Sequence, residues 1–227
     1  VGEAILAALP NAHLLVVDDA SPDGTGIVAD AMAAADWRVS VLHRQRKEGL
    51  GPAYLAGFRT ALAGGASLVV QMDADGSHDP GDLPRLVAPI LADEADLVIG
   101  SRYVAGGRVE NWALWRRLVS RGGSLYARGI LGLPVRDLTG GFKAWRASTL
   151  AAIGFGGIHA GGYVFQIEMT YRAHRLGARV REIPIVFRER RAGRSKMNRR
   201  IVAEALVVVL RLRWDELTGR WTGRGAA

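Results

Sequence analysis

The chain has 227 residues and a mass of 24.4 kDa, a length that suits one large domain or one domain with a small appendage. Hydrophobic residues make up 49% of it and cysteine is absent, which excludes a disordered chain, disulfides, thiolate metal sites and a cysteine nucleophile. A net charge of +8, carried mainly by arginine, favours anionic partners: nucleic acid, anionic lipid or phosphorylated small molecules.

The opening "VGEAILAALP" reads as the second half of a helix, so the numbering is expected to start inside a longer protein. "HLLVVDD" is a short apolar strand ending in Asp18 and Asp19. "SPDGTGIVADAMAAA" reads as a helix with Ser21 as its N-cap and Pro22 just inside. "RVSVLH" is a second strand, "RQRKEGLG" a basic loop, and "PAYLAGFRTALAGG" a helix closed by Gly64 and Gly65. "SLVVQM" is apolar throughout, as in a strand buried on both faces, and "DLVIGSR" after the helical "LPRLVAPILAD" is another strand. This order predicts an α/β fold with a Rossmann-like, mainly parallel sheet flanked by helices in one domain over 1–227. In such sheets ligands bind beyond the carboxyl ends of the strands, which here carry Asp18, Asp19, Asp73, Asp75 and Arg102.

The second half mixes Trp, Arg and aliphatic residues at helical spacing over "NWALWRRLVSRGGSLYARGILGL". A loop and a short extended piece follow in "VRDLTGGFKAWR", then a helix "YVFQIEMTYRAHRLG", a strand "ARVREIPIVF" and a last apolar helix "IVAEALVVVLRLRW". Residues 111–132 and 199–214 are candidate membrane-interfacial or partner-contacting helices; an amphipathic helix packed on its own domain is the plainer reading of the first. No apolar run approaches the roughly 20 residues of a membrane-spanning helix.

The chemistry centres on "LVVQMDADGSHDP". Asp73 and Asp75 are two apart, so in an extended segment both carboxylates point the same way and repel unless a cation lies between them. Mg²⁺ or Mn²⁺ suits such a hard-oxygen pair; a solvated turn with incidental acids is the bland alternative. Asp18 and Asp19 can accept hydrogen bonds from a ribose or base, or simply cap a helix. Arg102, Arg190 and Lys196 are candidate phosphate ligands. "RERRAGRSKMNRR" holds seven Arg or Lys in thirteen residues, a composition for a basic lid over polyphosphate rather than for core. Arg116 and Ser120 are four apart and share a helix face, where they can hold a further phosphate.

In order along the chain, "VVDDASPDGTG", "MDADGSH", "IGSRY", "DLTGGFKAWR", "GYVFQIEM" and "RERRAGRSKM" resemble the polyprenol- and dolichol-phosphate mannosyltransferases, family 2 glycosyltransferases of GT-A fold. The resemblance runs from about Leu14 to Lys196 and is closest to the actinobacterial polyprenol-phosphate mannose synthases. It implies transfer of mannose from GDP-mannose to polyprenyl phosphate with inversion, at the cytoplasmic face of the membrane and by peripheral contact, directly or through an anchoring partner. It implies Asp73, Ala74 and Asp75 as the metal and diphosphate site, and Ser77 at the position where the family often has a glutamine ligand. By the same resemblance Asp18 and Asp19 bind the nucleotide, Arg102, Arg190 and Lys196 contact phosphates, and Arg116 and Ser120 hold the acceptor phosphate. Gln166 and Glu168 shape the mannose pocket. The family's first strand, followed by Pro-x-Tyr-Asn-Glu, has no match before His13.

Three competing readings remain at this level. A relative using UDP-glucose would show the same carboxylate pair. "VVQMDADGSH" is also similar to the aspartate loop of haloacid-dehalogenase phosphatases, though the acid pair at Asp18 and Asp19 precedes it and no convincing pair follows. A nucleic-acid-binding module suits the charge, but the acidic strand ends beside the basic residues would repel a phosphodiester backbone, so no nucleic-acid partner is expected.

Overall fold

A computed structural model describes residues 1–158, 162–189 and 199–220. The elements in chain order are α1 (Gly2–Ala8), β1 (Leu14–Asp18), α2 (Thr25–Ala35), β2 (Val39–His43), α3 (Leu50–Ala63), β3 (Leu68–Gln71), α4 (Leu83–Leu91) and β4 (Leu97–Ser101). They continue with β5 (Arg108–Val109), α5 (Leu114–Leu131), β6 (Lys143–Arg146), α6 (Ala147–Ile153), α7 (Gly162–Arg175), β7 (Val180–Pro184), β8 (Val186–Phe187) and α8 (Arg199–Leu217). The α/β class and the expected strands and helices are present. The second helix, however, starts at Thr25 rather than at Ser21. Asp23 explains the shift, because its carboxylate accepts from both the backbone N–H and the hydroxyl of Thr25 and holds residues 21–24 in a turn.

Strand order in the main sheet is β3-β6-β4-β7. β3 and β4 both pair antiparallel to β6, so they run the same way, and β7 is parallel to β4. The short "FKAWR" segment is thus an antiparallel insertion in an otherwise parallel arrangement. Its consequence is positional: the carboxyl ends of β3 and β4 share an edge with the start of β6, and the loop leading into β6 arrives there too. β1 and β2 form a separate parallel pair, in register from Leu14 opposite Val39 to Asp18 opposite His43.

The period-2 alternation of the strands divides the core between two faces. Val69, Leu97, Ile99 and Trp145 pack with α3, α5, α6, α7 and α8, whereas Val98, Ala144 and Phe142 pack with Leu83, Leu86, Val87 and Ile90 of α4. One face also buries polar groups. Lys143 is fully buried, and its Nζ donates to the carbonyl of Gln166 at 2.9 Å and to Thr170 Oγ1 at 2.8 Å. Gln71 ties the same layer together: its Oε1 accepts from Trp145 Nε1 at 2.9 Å, and its Nε2 donates to Gln166 Oε1 at 2.8 Å.

Burial without a directly bonded anion pushes the Lys143 amine down to about 7. The unfolded amine titrates near 10.4, so between those values the unfolded chain holds a proton that the folded chain lacks. Stability contributed by this group therefore rises with pH from about 7 to about 10. Lys143→Met should flatten that rise in urea unfolding measured between pH 7.5 and 9.5; an identical slope in the variant would place the titration elsewhere.

Candidate active site

The turn after β3 builds the carboxylate pair. Asp75 Oδ1 accepts the backbone N–H of Ser77 at 3.0 Å, which folds the chain back on itself. The reversal passes through Gly76 at φ 77°, a left-handed conformation that costs glycine little. Asp73 is positioned from two other elements. Tyr54 of α3 donates its phenol to Asp73 Oδ1 at 2.6 Å. Gly141, just before β6, lies against the other oxygen, where an added Cβ would stand 3.3 Å from Oδ2. Ala74 is exposed between the two acids.

This donor set fits a divalent cation of Mg²⁺ or Mn²⁺ type. Among the described residues no three His, Cys, Asp or Glu side chains converge as a ready-made cage. The pair sits on a turn rather than in the extended segment expected, and two carboxylates at one turn, with the remaining positions left to water and substrate oxygens, suit such ions. Ser77, the position expected as a ligand, is 1% exposed; its Oγ has no partner among the described residues, and its backbone N–H donates to Asp75. His78 is sealed between Phe142 and Phe187, at ring-centre distances of 4.9 and 5.1 Å, with Nε2 4.0 Å from Asp73 Oδ2. Burial lowers its pKa and favours a neutral ring.

Asp18 and Asp19 behave differently from each other. Asp18 is nearly buried; its Oδ1 accepts from Ser21 N at 3.1 Å, and its Oδ2 lies 3.5 Å from His43 Nδ1. Hydrogen bonding from Ser21 is the main cause holding its carboxyl below the ordinary value, against a smaller opposing effect of burial. Asp19 instead organises the next loop, pairing with Arg44 and accepting from the backbone N–H groups of Glu48 (3.3 Å) and Gly49 (2.9 Å).

The second half of the site is a guanidinium wall beside these acids. Arg102, at the end of β4, is 4% exposed and forks onto Asp137: Nε to Oδ2 at 2.7 Å and Nη2 to Oδ1 at 2.6 Å, with its backbone N–H also on Oδ2. Nη2 reaches Thr139 Oγ1 at 2.8 Å as well. One edge of the Arg102 fork is thus spent on a fully buried carboxylate. Burial raises the Asp137 pKa, and the charge and hydrogen bonds of Arg102 outweigh it, leaving the carboxyl below its ordinary value.

Arg116 and Ser120 share the inward face of α5, as their spacing predicts. Ser120 Oγ accepts from Tyr103 at 2.7 Å and lies 3.3 Å from Thr139 Oγ1. Arg116 Nη1 donates to Glu189 at 3.0 Å, and its guanidinium lies over Trp112 at 4.0 Å. Arg102, Arg116 and Ser120 thus come together, joined by Thr139 and by the rings of Trp112 and Phe187. Arg190 and Lys196 lie outside the described residues. Gln166 and Glu168 point inward: Gln166 joins Gln71, and Glu168 pairs with Arg172 of its own helix at 2.7 Å.

The sequence matches glycosyl transferase family 2 over residues 3–154. The chain belongs to the family 2 glycosyltransferases. It is 54% identical over 216 residues to the undecaprenyl-phosphate mannosyltransferase of Micrococcus luteus, covering 95% of this chain and 87% of that protein. It is 51% identical to the polyprenol monophosphomannose synthase of Mycolicibacterium smegmatis, covering 89% of this chain and 76% of the relative. The fold is that of glucosyl-3-phosphoglycerate synthase from Mycobacterium tuberculosis, solved with phosphoglyceric acid (TM-score 0.65, 23% identity, 93% of this chain and 74% of that one). The same enzyme with Mn²⁺, UDP-glucose and phosphoglyceric acid superposes at a TM-score of 0.64, also at 23% identity and with the same coverage. These likenesses to GT-A glycosyltransferases agree with the fold expected from the sequence, and family membership removes the phosphatase reading.

Tyr54, Asp137, Thr139 and Trp112 are the site residues that sequence reasoning missed. Asp137 carries the clearest consequence. Asp137→Ala would take the buried carboxylate away from the Arg102 guanidinium, at a cost of about 3–5 kcal/mol. Urea unfolding at pH 7 should show that loss, and the gap from wild type should shrink as acid protonates Asp137 in the wild type. A loss of less than about 1 kcal/mol at pH 7 would mean that the pair does not hold the site.

Proposed function

We propose that this glycosyltransferase moves mannose from GDP-mannose to a polyprenyl phosphate with inversion, giving polyprenyl-phosphate mannose for lipoglycan or protein mannosylation. The observation that carries the acceptor half is the two-sidedness of α5. Its inward face presents Arg116 and Ser120 to the site. Its outward face is exposed and apolar through Leu114, Trp115, Leu118 and Leu125, with Arg117, Arg121 and Arg128 along one flank. A substrate with a phosphate head and a long hydrocarbon tail matches both faces of one helix. The two relatives above, whose names specify undecaprenyl phosphate and polyprenol, support the same class.

The apolar surface continues onto α8 through Leu206, Val207, Leu210 and Trp214. Between the two helices runs an open groove of about 600 Å³ lined by Gly129, Ile130, Leu210, Arg213, Trp214 and Leu217. Among the described residues no helix is long and apolar enough to cross a membrane. The reading is peripheral contact with the lipid surface at its cytoplasmic face, the arginine flank facing anionic headgroups.

For the reaction, Asp18 takes the nucleoside, and Asp73 with Asp75 would hold Mg²⁺ or Mn²⁺ at the diphosphate. Such an ion, when bound, supplies charge neutralisation of the leaving group. Arg116 and Ser120 orient the acceptor phosphate, whose oxygen is already anionic and needs no strong base. That oxygen forms the new bond to the anomeric carbon as the bond to the nucleoside diphosphate breaks, and the nucleotide leaves with the electron pair.

The test is a transfer assay on the full chain, crossing GDP-mannose and UDP-glucose against undecaprenyl phosphate, with metal titration. GDP-mannose should be the preferred donor, and Asp75→Ala should lower transfer by more than about 100-fold without unfolding the domain. Preference for UDP-glucose would overturn the donor, and full activity in excess chelator would overturn the metal.

A further inference from the structure

The wall that carries Arg116 contains two buried donors with no acceptor among the described residues. Trp112 is 6% exposed, and among the described residues its indole Nε1–H has no partner. Arg116 is 5% exposed, and its Nε–H is likewise unmatched. A buried Trp N–H normally finds an acceptor, and a donor left bare in the interior is destabilising. Here two such donors lie side by side, since the guanidinium of Arg116 sits 4.0 Å over the Trp112 ring. The local fold commits the indole to this place. Asn111 turns the chain at φ 61° just before it, and Phe187 packs edge-on against the ring at 5.2 Å.

The neighbouring charges say what kind of acceptor is missing. The Nη1 edge of Arg116 already holds a carboxylate, Glu189, whose side chain is 45% exposed. The guanidinium of Arg102 stands 5.6 Å from the same indole. Arg102 is matched by the buried Asp137, so the exchangeable place for an oxyanion is the one beside Arg116 and the indole N–H. Glu189 marks where one binds and, being half exposed, can give way to another.

We infer that Trp112 is a binding residue for the acceptor phosphate: its Nε1–H donates to a phosphate oxygen while its ring holds the Arg116 guanidinium flat against that group. This rests on the reading of Arg116 and Ser120 as the acceptor-phosphate site and adds a ligand to it. The indole contributes in two separable ways. Its ring supports a cation, which other aromatic rings also do. Its N–H supplies a charge-assisted hydrogen bond, which among aromatic replacements Phe lacks.

The full chain is assayed with undecaprenyl phosphate and GDP-mannose as wild type, Trp112→Phe, Trp112→Leu and Arg116→Ala. Thermal midpoints and GDP affinity are recorded for each. A fifth form carries benzothienylalanine at position 112, which keeps the bicyclic shape and replaces N–H by sulfur. Trp112→Phe and the sulfur analogue should raise the KM for undecaprenyl phosphate about 10-fold, with kcat, GDP affinity and thermal midpoint close to wild type. Trp112→Leu should raise it further, because the support for Arg116 goes as well. An unchanged acceptor KM in the sulfur analogue, beside a raised one in Arg116→Ala, overturns the inference and leaves the acceptor site standing. If neither responds, the acceptor site itself is misplaced and the inference falls with it.

Discussion

The geometry of this site depends on one buried ion pair. Arg102 and Asp137 are both nearly without solvent, and between them they join the end of β4 to the loop that enters β6. Taking two charges out of water is unfavourable unless each is well matched, and here the match uses both carboxylate oxygens, the guanidinium fork and a backbone N–H. The same guanidinium is surrounded by Tyr103, Trp112 and Phe187 and bonds Thr139, which in turn touches Ser120. The pair is thus a fixed post around which the β4 end, the start of α5 and the β8 strand are arranged. Arginine serves here as scaffold, so that a second arginine, Arg116, can face the site.

Much of the fold was legible because it repeats. The apolar runs of β1, β3 and β4, each ending in charge, gave the strand edges, and the four-residue spacing of Arg116 and Ser120 gave a shared helix face that the structure bears out. What escaped has no period. Asp137 meets Arg102 across 35 positions, and a lone aspartate in a loop looks the same whether it is solvated or buried. Tyr54 reads as one more aromatic on an apolar helix, although its ring is core and its hydroxyl reaches Asp73. The antiparallel course of β6 was hidden because a four-residue strand states its face but not its direction. Gln166 and Glu168, whose chemistry suggested a sugar pocket, are buried, with Gln166 Oε1 on Gln71 and Glu168 on Arg172.

α5 condenses the functional argument into one element. Its first inward residues, Arg116, Ser120 and Ser124, are polar and buried, and only toward its end do Ala127 and Leu131 join the apolar core. Its outward residues are large and apolar, and they are exposed. That inverts the usual amphipathic pattern, in which the apolar stripe faces the protein. On the proposed reading, the two faces of this helix meet two different environments, fixed polar groups on one side and hydrocarbon on the other.

α3 has a mechanical consequence of its own. The pair β1–β2 and the four-stranded sheet are not hydrogen-bonded to each other. Asp19, beyond β1, grips the backbone entering α3 at Glu48 and Gly49; one turn further on, Tyr54 of that helix grips Asp73. The molecule therefore has a seam between the β1–β2 pair and the four-stranded sheet; α1 packs across it, and α3 crosses it with an acid held at each bank. A ligand that spans from Asp18 to Asp73 would act as another rung across the seam. Such a rung would persist after the sugar has gone, because the nucleoside diphosphate left behind still reaches both banks.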